Sequence, residues 1–516
     1  MSRIASFYSP PQGGLIQQRP RRLPVSVTTA SLNSSWRRRR GGRRLLPVSP
    51  SGVAQHKAPL TSDAPSESGE AEQQFDWLDQ WYPFAPVCDL DPGAPHGKTV
   101  LGLSLVAWYD RRATGGAGEW RVFDDACPHR LAPLSEGRID GKGRLQCVYH
   151  GWCFGGAGGC EFIPQAPALG PAVHESGRAR VGSYPCVVQN KLLWFYPRKE
   201  AEYKDVLRRK RPPYIPQIDD PSYFTEFGMR DLLYGYDVLV ENIIDPSHLP
   251  YAHKGLDEEG GVPMKAKIEQ GSIEGFVSAM EGGNMRFQAP CTVHGTSTDK
   301  VAAASGKAPP PHLRLVAFCI PVGPGRSRLI WGFPTNVGVG LAKIIPRWFN
   351  HVVMNSIIDS DAYLVHFQER KYAAVGLHNW HKASYVPTSS DSMIVAYRSW
   401  FRKYCRNQVG WATPQSIHAP PTPTKQEVLE RYWSHVVQCT SCSAALKAMK
   451  AVEVFLQVMS VAVVGFLAVT KETLLRSAVQ RTMVVSAAVL CFMASRWLAD
   501  FIEKNFYFQD YVHAYR

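Results

Sequence analysis

The first 62 residues contain no acidic side chain; the first to appear is Asp63. Ten arginines and Lys57 fall within residues 1–60, so this stretch supplies eleven charges of the net +14 and leaves the remainder at +3. Basicity confined to one end excludes a chain whose folded body binds nucleic acid. The same stretch lacks the apolar run that a secretory signal needs, and its Arg, Ser and Pro content, with the run Arg37 to Arg40 in the middle, predicts an organellar transit peptide. A disordered basic arm is the competing reading. Cysteine is far below the density of a disulfide scaffold. Twelve in 516 residues exclude a disulfide framework and point to a reducing compartment.

No repeat at a solenoid or propeller period is present, and 45% apolar, 11% aromatic and 20% charged residues exclude collagen-like and wholly disordered chains. Long apolar runs are missing except near the C-terminus, at 454–469 and 482–494, separated by Lys471, Glu472, Arg476 and Arg481. Sixteen helical residues rise ~24 Å against a hydrocarbon core of ~30 Å, so spanning requires flanking groups such as Glu453 and Arg496 to snorkel. No later segment is large enough to bury both runs, which favours a C-terminal transmembrane helical hairpin over a buried one.

The remaining pattern is that of an α+β multidomain protein. Residues 1–65 read as transit peptide and linker. Residues 75–198 alternate short apolar runs with Gly, Pro and Asp turns, which predicts an all-β domain. Residues 199–410 mix strand-like runs (RLVAFCIPV, SRLIWGFPT, SMIVAYRSW) with helical ones (YGYDVLVENIIDPSHLPYAH, PRWFNHVVMNSIIDSDAYLVHFQER), the pattern of an α+β domain, with a loop insertion at 297–311. Residues 411–450 form a linker that opens Pro-rich at 412–424 and contains a C-x-x-C pair; two membrane helices at 451–499 and a tail at 500–516 follow.

Two metal centres are written into this frame. Cys127, His129, Cys147 and His150 form C-x-H, seventeen residues, then C-x-x-H. Two thiolates and two imidazoles match a Rieske [2Fe-2S] centre, one iron taking both sulfurs and the other both nitrogens. A Cys2His2 zinc site uses the same ligands, but its half-sites rarely mix Cys with His. Cys153 and Cys160 read as structural thiols. Downstream, Asn242, Asp245, His248 and His253 follow as N-x2-D-x2-H-x4-H. Two histidines with a carboxylate on one face make a mononuclear non-haem Fe(II) site with positions open for O2 and substrate. The DSD of NSIIDSDAYL offers Asp361 as that carboxylate, with Asp359 as the alternative. Asp245 lies between ligands and is placed to hydrogen-bond an imidazole of each centre, the cluster-side partner being His150 of the partner subunit. Cys439 and Cys442 form the C-x-x-C, whose spacing suits a redox dithiol; with no second C-x-x-C in the chain, zinc is disfavoured there.

Together these motifs resemble the Rieske non-haem iron oxygenases. From FDWLDQWYPFAPVCDLD through the tail, over roughly residues 75–516, the chain resembles the plastid branch that includes pheophorbide a oxygenase, chlorophyllide a oxygenase and the Rieske component of the inner-envelope protein translocon. The runs VVQNKLLWFYP, PYIPQIDDPSYF, ERYWSHVVQCTSCSAALKAMK and ASRWLADFIEKNFYFQDYVHAYR carry it most specifically, toward the members that depend on protochlorophyllide. The resemblance implies a helix-grip (START-like) catalytic domain, a homotrimer, ferredoxin as electron donor, a thioredoxin-responsive Cys439 and Cys442, and a plastid inner-envelope or thylakoid membrane with the catalytic domains facing the stroma. It implies oxidation of a tetrapyrrole, protochlorophyllide a foremost (ring B methyl to formyl), with pheophorbide a or chlorophyllide a as alternatives. A redox-sensing import component is the reading from another class; retention of His248, His253 and Asp361 favours an enzyme.

Overall fold

The computed structural model describes residues 73–166, 172–256, 265–280, 283–297, 312–415, 421–469 and 477–515. The expected transit peptide, the insertion at 298–311, the middle of the Pro-rich linker and most of the charged connector, with Lys471, Glu472 and Arg476, lie outside the described residues.

The first folded part is all-β. One antiparallel sheet joins His96–Val100, Leu103–Asp110, Glu119–Asp124 and Ser183–Tyr184; a second joins Tyr82–Pro86, Leu192–Phe195 and Cys186–Gln189. Strand Leu103–Asp110 is buried on both sides and shows why two layers form. Its side chains alternate with the period of two that a pleated strand imposes, Leu105 and Ala107 entering one core and Val106 and Trp108 the other. That second core also contains Cys127, Cys147, Phe123, Leu134 and Phe154. A small sheet of Arg138–Ile139, Leu145–Gln146, Cys153–Phe154 and Cys160–Phe162 completes it.

The second part is built on a seven-stranded antiparallel sheet: β1 (Phe227–Leu232), β2 (Ala266–Ser272), β3 (Gly275–Met280), β4 (Gly283–Gln288), β5 (Thr292–Ser297), β6 (His312–Gly323) and β7 (Arg326–Gly332), in the order β1-β7-β6-β5-β4-β3-β2. Helix α1 (Tyr236–Ile244) packs on β6 and β7. Pro246 cannot continue α1, and Pro250 suits the first turn of the short α2 (Leu249–Ala252), so the DPSHLP run produces a break and a restart. The long α3 (Arg347–Val375) packs against α1.

SMIVAYRSW is a helix, not the expected strand: α4 spans Ser392–Cys405. Its buried residues Met393, Tyr397, Trp400, Phe401 and Cys405 follow the helical period and face β2 and β3. Arg398, on the same buried face, pairs with Asp237 (2.7 Å) and Glu241.

The C-terminal helices are α5 (Thr440–Val469) and α6 (Ala478–Ile502), packed on each other, with Ser460 Oγ donating to the Ala488 carbonyl (2.9 Å). Both are long and apolar enough to cross a membrane. α5 begins fourteen residues before the apolar run, so the C-x-x-C lies at its head rather than in a linker. Its first N–H, at Thr440, is capped by Asp89 Oδ1 (3.0 Å), a partner 351 positions away that no local pattern reveals.

Candidate functional site

The four residues of the first centre sit on twin loops. The Leu131 N–H donates to the Cys127 carbonyl (2.8 Å) and the Cys127 N–H to the Ala132 carbonyl (2.9 Å); in the other loop Gly151 and Trp152 make the same two bonds with Cys147, at 3.0 and 2.9 Å. Each loop needs a left-handed residue, Leu131 at φ 59° and Gly151 at φ 75°. The result segregates the four candidate ligands. Cys127 and Cys147 are buried, whereas His129 is exposed and His150 half-exposed. The imidazole rings lie 4.4 Å apart, and Trp152 stacks on His129 at 4.8 Å.

Burial, with the Cys147 thiol beside it, pushes the Cys127 thiol up to about 12. A thiol held so far from ionisation becomes a thiolate when a metal takes the proton's place. Two buried sulfurs beneath two outward imidazoles fit a Rieske cluster.

The second centre is assembled from α2 and α3. His248 precedes α2 and His253 follows it, so one helical turn sets their separation, with ring centroids 5.2 Å apart. Asp361, buried in the middle of α3, brings Oδ2 to 3.5 Å from Nε2 of both histidines. All three ligand atoms lie within 4.8 Å of one another. Asp359 takes no part. It is 1% exposed and clamped by Arg230 (2.6 Å) and Arg431 (2.7 Å).

Each histidine has its other nitrogen occupied. Asp245 Oδ2 lies 3.4 Å from His248 Nδ1, while Asp245 Oδ1 accepts from the Ser247 N–H (2.8 Å). Ser360 Oγ donates to the Ile357 carbonyl (2.6 Å) and so accepts from His253 Nδ1 (2.6 Å). Both Nε2 atoms are thereby turned toward Asp361. Sequence reasoning missed Ser360, although it stands between the two candidate aspartates. Asn242 Nδ2 lies 3.5 Å from His248 Nε2. Burial opposes charge on His248, yet Asp245 and Asp361 outweigh it and hold its pKa at about 10. The pocket favours positive charge, and two imidazoles with one carboxylate fit Fe(II).

Cys439 and Cys442 are both 2% exposed and meet His351 and His435. Neither histidine was singled out in the sequence. His435, only four residues before Cys439, was the local signal available.

The Rieske [2Fe-2S] domain family matches residues 80–185, and the Pheophorbide a oxygenase family matches residues 287–378. The chain is 45% identical to Protochlorophyllide-dependent translocon component 52, chloroplastic, from Arabidopsis thaliana, over 86% of each chain. It is 43% identical to Flavonoid 8-hydroxylase 2, chloroplastic, from Ocimum basilicum, over 86% of this chain and 87% of that one. It is 35% identical to Pheophorbide a oxygenase, chloroplastic, from Arabidopsis thaliana, over 86% of this chain and 85% of that one. At 35–45% identity over 86% of the chain, these relations establish that the chain belongs to the pheophorbide a oxygenase family of Rieske non-haem iron oxygenases, enzymes equipped with a [2Fe-2S] cluster and a mononuclear iron.

Proposed function

We propose that the protein uses O2 and ferredoxin electrons to oxidise a chlorophyll-type tetrapyrrole, protochlorophyllide a first, at the ring B methyl. The observation that carries the oxygenase reading is the presence, in one chain, of a cysteine and histidine set for electron delivery and the His248, His253 and Asp361 triad for O2 chemistry. The tetrapyrrole rests on the relatives named for protochlorophyllide and pheophorbide a.

Cys127 and Cys147 would bind one cluster iron, His129 and His150 the other, and His248, His253 and Asp361 the mononuclear iron. When bound, these groups supply one-electron transfer and the reduction and activation of O2. The protein's part is arrangement. The outward imidazoles place the electron exit at the surface, beside the exposed side chains of Leu131, Val148 and Tyr149. In the homotrimer we propose, His150 of the partner subunit meets Asp245, which already holds the Nδ1 proton of His248. Leu364, one turn beyond Asp361 on α3, and Tyr251, between the two histidines, are exposed and offer apolar surface to a flat macrocycle. Helices α5 and α6 would anchor the enzyme in a chloroplast membrane, the phase in which such pigments dissolve.

The test is turnover by the full-length protein in lipid nanodiscs with ferredoxin, its reductase and O2, one candidate substrate at a time: protochlorophyllide a, pheophorbide a, chlorophyllide a and a flavonoid. A protochlorophyllide a product carrying one more oxygen and two fewer hydrogens supports the proposal. Oxidation of only the flavonoid, as the 43% identity to Flavonoid 8-hydroxylase 2 would suggest, overturns the tetrapyrrole.

A further inference from the structure

The C-x-x-C pair belongs to a third constellation. His351, in the second turn of α3, and His435, in the segment before α5, converge with Cys439 and Cys442 so that all four candidate ligand atoms lie within 4.8 Å of one another. None of the four is more than 2% exposed. His351 Nδ1 is 3.4 Å from Cys439 Sγ and 3.5 Å from Cys442 Sγ, and His435 Nε2 is 3.3 Å from Cys442 Sγ. With Zn–S near 2.3 Å and Zn–N near 2.0–2.1 Å, the S···N edge of a tetrahedron is about 3.5 Å. The spacings match those edges.

The surroundings set the donor atoms. His435 Nδ1 donates to the Met229 carbonyl (2.6 Å), which leaves Nε2 as a lone pair facing Cys442. His351 hydrogen-bonds the Phe227 backbone, with Nδ1 turned to the sulfurs. Phe227 and Met229 are alternate residues of β1, the edge strand of the sheet, so their carbonyls leave the same open edge. That edge is closed by two imidazoles, the backbone-anchored arrangement that fixes metal-binding histidines. Arg347 Nη2 and the Cys442 N–H both point at Cys439 Sγ, at 3.4 and 3.5 Å, and would stabilise a thiolate.

We propose that His351, His435, Cys439 and Cys442 bind a structural zinc ion. Binding converts two thiols to thiolates and releases two protons, and two thiolates with two neutral imidazoles cancel the ion's charge, as a dry site requires. Four protein ligands leave no open position, so the ion is structural and not catalytic. Its ligands come from α3, which carries Asp361 ten residues beyond His351, and from the head of α5 with the segment before it, and both imidazoles rest on the edge strand β1. The zinc thus fixes the C-terminal hairpin to the helix that presents the iron carboxylate.

The experiment is metal analysis of full-length protein expressed with zinc and iron supplied, together with zinc-edge X-ray absorption. The expected result is one zinc per chain beside the iron, with a shell of two sulfurs and two nitrogens. His351→Ala and Cys442→Ser should each lose the zinc and keep the visible and EPR signals of the cluster, and Cys442→His should regain it. Wild-type protein without stoichiometric zinc, a zinc shell lacking sulfur, or zinc retained in both His351→Ala and Cys442→Ser overturns the proposal. The absorption shell is measured on wild-type protein, so it decides the matter even where a variant fails to fold.

Discussion

Asp359→Asn tests whether this carboxylate, two residues from the proposed iron ligand Asp361, holds the fold. Asp359 Oδ1 pairs with Arg230 Nη1 at 2.6 Å, and Oδ2 meets Arg431 Nη2 at 2.7 Å, all three side chains being 1% exposed. Neutralising the carboxylate leaves two buried guanidiniums roughly 6 Å apart, whose repulsion at an effective dielectric of ~20 is about 3 kcal/mol. Stranding a buried partner costs about 3–5 kcal/mol in measured cases, so the two estimates agree. A loss of that size lowers the melting temperature of a cooperative unit this large by roughly 3–6 °C. The assay is thermal unfolding in detergent, followed by helical circular dichroism, with iron content measured in parallel. Asp500→Asn is the control; its partner Lys504 lies at 2.6 Å, but both side chains are more than half exposed, and under about 0.5 kcal/mol is expected. Arg431→Met introduced with Asp359→Asn should restore part of the loss. An unchanged melting temperature, or loss of the mononuclear iron with stability intact, would refute the assignment of Asp359 to structure.

Ser360→Ala removes the acceptor for His253 Nδ1, and Fe(II) affinity should fall about 10- to 100-fold with the cluster spectrum unaltered; iron titration monitored by activity and EPR checks it. Asp245→Asn should leave both iron centres loaded and slow product formation, while normal single-turnover rates would count against its bridging role. Burial and then the neighbouring Asp237 push Glu369 up to about 7, against opposing contributions from the Gly235 N–H, Arg370 and Arg398. The folded state therefore binds the proton more tightly than the unfolded one, so this group's stabilisation is complete below about pH 4.5 and is lost as pH rises through about 7, by at most about 3 kcal/mol. Glu369→Gln should melt higher than wild type at pH 8 and no higher at pH 5.

What could be read from the sequence follows how local each arrangement is. Cys127 with His129, and Cys147 with His150, each sit within one loop, so spacing alone exposes the pairing; His248 and His253 flank a single helical turn. Asp361 is harder, because rejecting Asp359 requires Arg230 and Arg431, which are 129 residues before and 72 after it. His351 lies 88 positions from Cys439, and no spacing rule connects the two. Ser392–Cys405 misled because its β-branched and aromatic residues suit a strand; the buried ion pairs of Arg398 and the packing on β2 and β3 select the helix. The head of α5 was hidden because Asp89, from the other folded part, supplies its cap.

Paired depletion of the two iron centres separates electron delivery from O2 chemistry. Cys127→Ser and His248→Ala are prepared as full-length protein, and iron content, EPR of the reduced cluster and product formation are measured on each. Cys127→Ser should lose the cluster signal and keep mononuclear iron detectable as its nitric oxide adduct; His248→Ala should keep a reducible cluster, lose that adduct and form no product. A cluster signal surviving in Cys127→Ser, or undiminished product from His248→Ala, would contradict the account.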